Sequence, residues 1–436
     1  MREATIEAQP YARLAEVLPQ AAYAEFDTAM AAAGELLRGR TLWNLNTTLT
    51  GGGVAELLGA TLPYLCQAGT RCRWLMIESN PEYLEVTKRL HNWLHGFPGD
   101  SGTLGAQEKR VYDKVIDDNA AKLLGMVEPR DVVVVNDPQP AGLVPRLKEL
   151  GAQVIWHCHI GTDTPNDLTR RAWSFLIDDV SAADAYIFSR PQYLWEGLDA
   201  GRMRVIRPSI NPFAPKNMDL PGETVEAIMR RLEIPRVPIV TQVARWDRLK
   251  DHAGVMRLFA EHLMHTEAHL VLAGPAVDGV SDDPEGAETM RECAAVYASL
   301  DSLVRERIHL MSIPMDDVEE NARIVNAVQR RSDVVVQKSQ AEGFGLVVAE
   351  AMWKRRPVVA SRVGGIQDQI EHGRSGVLID DPRDGRAFAQ VIAALLDDAR
   401  LASSMGESAR QRVTDHFLTN RQLTETVALL ASLEMG

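Results

Sequence analysis

The sequence predicts an α/β protein of two doubly wound, Rossmann-like domains facing a central cleft. Three observations predict it. Strand-sized apolar runs alternate with helix-length amphipathic segments along most of the chain. The alternation breaks once, at Arg207-Pro208-Ser209-Ile210-Asn211-Pro212 with Pro215 close behind, and then restarts. A chain of 436 residues is also too long for one ordinary core.

Residues 1–38 are rich in Ala and Glu and read as one or two helices, an arm ahead of the main body. The first domain is expected over 39–212. Its first strand, Thr41–Asn46, runs through Gly51-Gly52-Gly53 into a helix over 54–68 with apolar residues three and four apart. Further strands are predicted at 73–77, 131–136, 153–159 and 185–189. The second domain, 213–405, repeats the pattern after a helix ending near Leu232. Strands fall at 238–243, 268–273, 308–311, 334–337, 358–360 and 376–379, with a helix over 255–264. Residues 386–433 are helical by periodicity, and 406–436 are read as a helical tail packing back on the first domain. Sheets of this kind bind ligands at the carboxyl ends of their strands, so the chemistry is sought there.

Composition narrows the class. Hydrophobic residues at 45% and charged residues at 25% are those of a globular protein, which excludes a disordered or fibrous chain. A formal net charge of −13 argues against a protein that coats nucleic acid or an anionic membrane. A small anionic ligand, needing only a few local cations, is still compatible with it. No apolar run approaches the roughly 20 residues of a membrane helix, and the start lacks a basic stretch followed by an apolar one, so no secretory signal is expected. The four cysteines, Cys66, Cys72, Cys158 and Cys293, form no CxxC pair and read as reduced thiols in a cytoplasmic protein.

Several clusters stand at strand ends. Gly51-Gly52-Gly53 opens a helix, where glycine lets backbone N–H groups approach an anion; a tight turn is the plainer reading. It is not GxGxxG, and no acidic residue stands where a dinucleotide's ribose would need one. Arg245 and Lys250 follow the first strand of the second domain, where two cations can neutralise a diphosphate leaving group, although taken alone they read equally as solvated charge. Glu342-Gly343-Phe344-Gly345-Leu346 follows strand 334–337 and precedes an apolar helix, a loop suited to presenting N–H groups to phosphate. Glu350 lies eight residues beyond Glu342, about 12 Å along a helix. That exceeds the roughly 5 Å between the carboxylates of a retaining glycosidase. These two therefore read as holding separate parts of one long ligand.

His157-Cys158-His159 closes a first-domain strand. With no third ligand at matching spacing, His159 reads as a sugar contact, and no metal site is expected. A satisfied core histidine is the competing reading for His157. Asp137, in Asn136-Asp137-Pro138-Gln139-Pro140, either binds a sugar hydroxyl or caps the next helix. Asn46 and Asp137 are the candidate acceptor contacts. His91 and His95, four apart but without the glutamate of HExxH, read as a polar helix face. No GxSxG elbow or P-loop occurs.

Arg245, Lys250, Glu342 to Leu346 and Glu350, in this order and spacing, resemble the retaining nucleotide-sugar glycosyltransferases of GT-B fold. Gly51 to Glu56, Asp137-Pro138-Gln139-Pro140, Cys158-His159-Ile160 and Glu350-Ala351-Met352-Trp353-Lys354 narrow the resemblance to trehalose synthases of the glycosyltransferring type. The similarity runs over nearly the whole chain from about Thr41.

It implies reversible transfer of glucose from a nucleoside diphosphate glucose to glucose, giving α,α-trehalose with retention, without metal or cofactor. By the same implication Arg245 and Lys250 bind the diphosphate, Glu342 the donor sugar, and Glu350 the ribose. Gly343, Phe344, Gly345 and Leu346 contact phosphate and sugar through the backbone. Gly52 and Gly53 lie between diphosphate and acceptor, and His159 lies near the donor sugar. A homodimer is the expected assembly. Two departures bear on the acceptor: Gln340-Ala341 precedes Glu342 where related enzymes often carry a base, and Gly161-Thr162 stands where an acidic residue is common. A trehalose phosphorylase, a transferase with another acceptor, and a non-catalytic sugar-binding protein are the alternatives.

Overall fold

The computed structural model describes residues 1–49, 52–277 and 284–434. The chain divides into two compact units, Met1–Ser209 with Thr419–Gly436, and Ile210–Leu418. The first unit runs β1 (Arg2–Ala4), α1 (Gln20–Leu36), β2 (Thr41–Asn46), α2 (Gly53–Gln67), β3 (Arg71–Met76), α3 (Pro81–Leu94), α4 (Ala106–Leu123), β4 (Val132–Asn136), α5 (Leu143–Glu149), β5 (Gln153–Cys158), α6 (Asp167–Val180), β6 (Ala185–Phe188) and β7 (Met203–Val205).

Its seven strands lie in the order β1-β3-β2-β4-β5-β6-β7, all parallel except β1. β2 and β4 are buried along their whole length, as strands covered on both faces must be. Trp43, Leu45, Val133, Val135, Val154 and Trp156 share one face with the apolar residues of α3 to α6. Asp131, just before β4, is buried but satisfied: it accepts the Thr41 amide at 2.8 Å, the Trp43 indole N–H at 2.8 Å and the Glu128 amide at 3.0 Å.

The second unit runs α7 (Gly222–Arg231), β8 (Ile239–Val243), α8 (His252–His262), β9 (His269–Pro275), α9 (Pro284–Ser299), α10 (Ser302–Arg305), β10 (Ile308–Ile313), α11 (Val318–Arg331), β11 (Val334–Gln337), α12 (Leu346–Trp353), β12 (Val358–Ser361), α13 (Ile366–Gln369), β13 (Val377–Ile379), α14 (Gly385–Asp397) and α15 (Ala399–His416). α16 (Thr419–Glu434) then belongs to the first unit. The sheet order is β10-β9-β8-β11-β12-β13, parallel throughout. Period-two alternation fills both faces. Val240, Leu270 and Leu272 pack with α8 and α14, while Ile239, Val243, Val271 and Ala273 pack with α7 and α11.

Three expectations differ from this. The arm is not only helical. Arg2–Ala4 forms an antiparallel edge strand on β3, held by a two-pronged bond from Arg73 to the Glu3 carboxylate at 2.7 and 2.6 Å, before a 3-10 turn at Tyr11–Glu16 and then α1. Three residues are too few to show a period, so the strand left no signal. The break between units falls at 209/210 rather than 212/213. The returning tail begins at Thr419 rather than 406, because α15 packs on α12 within the second unit.

Candidate active site

In the second unit the carboxyl ends of β8 and β11 are neighbours, since these strands pair directly. The turn after β8 carries Arg245 to Lys250, and the turn after β11 carries Lys338 to Gly345. Lys250 and Glu342 meet there in an ion pair at 2.5 Å, with both side chains largely enclosed. The Ser339 hydroxyl lies 3.5 Å from the same carboxylate oxygen. The N-cap of α12 is Gly345.

Gly345 takes φ +84, a left-handed conformation that glycine accepts without cost. It ends the loop and starts the helix at Leu346, so Glu342 stands outside the helix and a helical rise cannot be applied between Glu342 and Glu350. Gln369 donates its amide to the carbonyls of Phe344 at 2.6 Å and Gly345 at 3.2 Å, and the Gly365 amide donates to Gly343 O at 3.1 Å. The loop is thus clamped through its carbonyls, while α12 begins with backbone N–H groups directed along its axis.

Beneath the pair lies a polar scaffold that sequence reasoning did not single out. Gln242, fully buried on β8, donates to the Lys250 carbonyl at 2.9 Å and accepts the Lys338 amide at 3.0 Å. His252 lies 3.2 Å from Gln242 and 3.1 Å from Arg245 O, and burial pulls its pKa down to about 4. Lys338 pairs with Asp251, which also accepts from Gln340 at 3.1 Å. A base does precede Glu342, as Lys338 rather than at 340–341. Arg245 stands apart from Lys250 in character: half its side chain is exposed, with Asp247 3.8 Å away.

Glu350 is buried on α12, 3.7 Å from the Lys216 ammonium. Lys354, one turn on, donates to Glu350 O at 3.1 Å, Gln329 Oε1 at 2.7 Å and Asn217 Oδ1 at 3.2 Å. Burial lowers the Lys354 ammonium to about 7, and the Glu350 charge opposes that. Lys354 stood in the motif Glu350-Ala351-Met352-Trp353-Lys354 without a role assigned to it, while Lys216, from the Pro-rich segment, carried no sequence signal.

In the first unit β4 and β5 are adjacent, and Asn136, Asp137 and His159 gather at their carboxyl ends. Asn136 donates to Leu45 O at 3.2 Å, so its carbonyl oxygen faces His159 Nε2 at 3.1 Å. An oxygen there can only accept; the network therefore assigns the imidazole proton to Nε2 and leaves a lone pair on Nδ1. Burial pulls His159 down to about 3, so the ring is neutral near pH 7. His157, a buried neighbour 3.8 Å away ring to ring, is likewise pushed down by burial.

Asp137 takes φ +66, which aspartate tolerates, and accepts the His159 amide at 2.8 Å. Desolvation raises its carboxyl to about 7 against that bond. It does not cap α5, whose N-cap is Gly142. Asn46 is committed internally, accepting from Trp74 at 2.8 Å and donating to Thr48 O at 2.6 Å. Gly52, at φ +96, is the N-cap of α2 and Gly53 its first residue, while Gly51 lies outside the described residues.

One further pair closes this edge. Arg190, buried just past β6, forms an ion pair with Asp163 from the turn after β5. Among the described residues no group of three or more metal-ligating side chains gathers, and no helix is long and apolar enough to cross a membrane.

Comparison with known proteins follows the same division. Residues 44–195 match the family model described as "Trehalose synthase, N-terminal domain", and residues 225–412 match "Glycosyl transferases group 1". The chain is 35% identical over 405 residues to a trehalose synthase of Pyrococcus horikoshii, covering 92% of this chain and 91% of that protein. It is 27% identical over 416 residues to a trehalose phosphorylase of Pleurotus pulmonarius, covering 86% of this chain and 54% of that one. Among solved structures, an α,α-trehalose 6-phosphate synthase from Burkholderia multivorans superposes with TM-score 0.71 at 17% identity, over 91% of this chain and 99% of that one. Anabaena HepE, solved in complex with UDP and glucose, gives TM-score 0.67 at 16% identity, over 90% and 100%.

Proposed function

The chain belongs to the trehalose synthase family of GT-B glycosyltransferases, and from that premise we propose that it joins glucose from a nucleoside diphosphate glucose to free glucose, reversibly and with retention. The C1–O bond to the diphosphate breaks, a C1–O bond to the acceptor forms on the same face, and the acceptor's hydroxyl proton leaves on the departing diphosphate. The observation that carries this reading is the enclosed Lys250–Glu342 pair at the start of α12. A cation held at a strand end by a carboxylate is poised to answer the negative charge that grows on a diphosphate. Arg245, more exposed, supplies the second cation.

In this reading Glu342 contacts the donor sugar, and the backbone of Gly343, Phe344, Gly345 and Leu346 takes phosphate and sugar oxygens. Glu350 holds the ribose, kept in place by Lys354 and Lys216. Gly52 and Gly53 approach the diphosphate at the start of α2. His159, neutral with a lone pair on Nδ1, accepts a sugar hydroxyl, and Asp137 lies beside it for the acceptor. Asn46 acts by holding the loop after β2 rather than by direct contact. Metal independence, a cytoplasmic setting suited to four free thiols, and a homodimer complete the proposal.

The experiment is a donor screen. ADP-, UDP-, GDP- and TDP-glucose are each offered with glucose, with and without EDTA, and the sugar product identified. Trehalose from at least one donor, undiminished by EDTA, is expected; none from any donor overturns the reading. The Pleurotus relative is named a phosphorylase, so phosphate-dependent cleavage of trehalose without nucleotide is assayed beside it.

A further inference from the structure

α2 joins the parallel strands β2 and β3, so it runs antiparallel to both. It ends at Gln67, turns through Ala68-Gly69-Thr70 and returns as β3. The turn is fixed. Gly69, at φ +86, donates to Cys66 O at 3.0 Å and Thr70 donates to Leu65 O at 3.2 Å, the paired bonds that close a helix end. Trp74 of β3 lines one cavity with Leu58 and Leu62 of α2, so these faces of strand and helix oppose each other. Cys72 lies two residues before Trp74 on the same strand face, about 6.6 Å back along β3. Cys66 lies four residues after Leu62 on the same helix face, about 6 Å further along α2. The two cysteines therefore come opposite each other, and their thiols are hydrogen-bonded. Both are half-buried, whereas Cys158 and Cys293 are buried.

We propose that Cys66 and Cys72 form a reversible dithiol–disulfide couple, a modification site whose oxidant is a low-molecular-weight disulfide. Cys66 is the attacking sulfur. The Cys72 thiol and the Cys72 backbone N–H both donate to it, and these bonds hold its pKa below the usual thiol value. The same thiol–thiol bond, with burial, pushes Cys72 up, so Cys72 keeps its proton until the second step. Cys66 attacks one sulfur of the small disulfide, whose S–S bond breaks and releases one thiolate. Cys72 then gives up its proton and attacks Cys66 Sγ, expelling the second thiolate. The two protons lost by the cysteines pass to the two leaving thiolates. One protein dithiol is thereby oxidised and one small disulfide reduced to two thiols. The new bond spans residues 66–72 and pins the end of α2 to the start of β3, at the sheet edge opposite Asn136, Asp137 and His159.

In the test, the full-length protein is reduced, freed of reductant and incubated with glutathione disulfide under native conditions. It is then quenched with N-ethylmaleimide and mapped by mass spectrometry. C66A and C72A are treated alongside, with folding checked by thermal melting. In the wild type the free thiols are expected to fall from four to two, with one peptide pair joining Cys66 to Cys72 within one chain. Dithiothreitol restores all four. C72A is expected to stop at a mixed disulfide on Cys66, since no second thiol resolves it. In C66A, Cys72 reacts more slowly than Cys66 does in C72A, by about tenfold or more. Two thiols that merely fill space would show neither the internal bond nor this asymmetry.

A wild type that keeps four free thiols overturns the inference, as does glutathione retained on Cys66 without closure. So does a disulfide that joins other cysteines or two chains. Equal reactivity of Cys66 in C72A and Cys72 in C66A overturns the assignment of Cys66 as the attacking sulfur. Should either variant fail to fold, the wild-type map decides the question. The readout needs no sugar substrate, so the couple stands or falls apart from the proposed transfer.

Discussion

Lys250 and Glu342 lie 92 residues apart in sequence yet share one enclosed ion pair. Replacing either by alanine, or Glu342 by glutamine, is expected to lower kcat by about 100- to 1,000-fold, the usual effect of removing one group that stabilises transition-state charge. Steady-state kinetics with saturating donor checks it; a change in donor KM alone would assign the pair to uniform binding. Asp137 and His159 predict a pH signature with two limbs. The Asp137 carboxyl is raised from 3.8 to about 7, so the folded state holds its proton more tightly than the unfolded chain. Its contribution to stability is full below pH 3.8 and is lost as pH rises through about 7. His159 is lowered from 6.5 to about 3, so its contribution is present above 6.5 and lost as pH falls toward 3. Urea midpoints across about pH 3–8 should show D137N free of the upper limb and H159Q free of the lower one. The strand-end rule made Arg245, Lys250, Glu342 and His159 legible, because each follows a run of β-branched residues. It did not reach Gln242, His252, Asp163, Arg190 or Lys354, whose contacts depend on how turns and helices fold back against the strands.

At the scale of elements, the site depends on where helices start. Gly345 at φ +84 sets the first turn of α12, and a Cβ there would meet Glu342 Cγ at 3.1 Å. Gly345→Ala is expected to cost about 1 kcal/mol or more through backbone strain and to displace the Glu342 carboxylate. Denaturant melts and activity assays measure the two effects; a fully active, equally stable variant would contradict the role given to this turn. Apart from the three-residue edge strands β1 and β7, the strands of both sheets were readable to within a few residues, since buried parallel strands are continuous apolar runs. Helix starts were less so. Gly345 ended the loop three residues past Glu342, and no periodicity distinguishes a residue in a loop from one in the first turn of a helix.

Across the whole chain, the path leaves the first unit at Ser209 and returns at Thr419. The two crossings are adjacent, for Ile210 donates to Phe417 O at 2.9 Å and bridges Leu418. α16 then packs on α1, burying Leu423, Val427, Leu429 and Leu430, with Gln422 accepting from Ser209 at 2.6 Å. Four such side chains at about 1.5–3 kcal/mol each are comparable to the whole stability of a domain. Removing residues 419–436 should therefore unfold the first unit and leave the second with cooperative melting, seen as loss of one of two calorimetric transitions. Two transitions, both unchanged, would show that α16 is dispensable.

The sequence by itself determined the class of fold and put charged groups at the strand ends of the second unit. Period and residue type are local properties, and a cation or carboxylate following a strand is legible wherever the strand is. It also carried the family, through motifs spread over both units. Only the tertiary structure decided which of those groups meet. It joined Lys250 to Glu342, turned Asn46 inward, made Arg2–Ala4 a strand, returned α16 to the first unit, and set Asp163 on Arg190. Each of these is a contact across the chain, settled by packing and charge neutralisation that no local window contains.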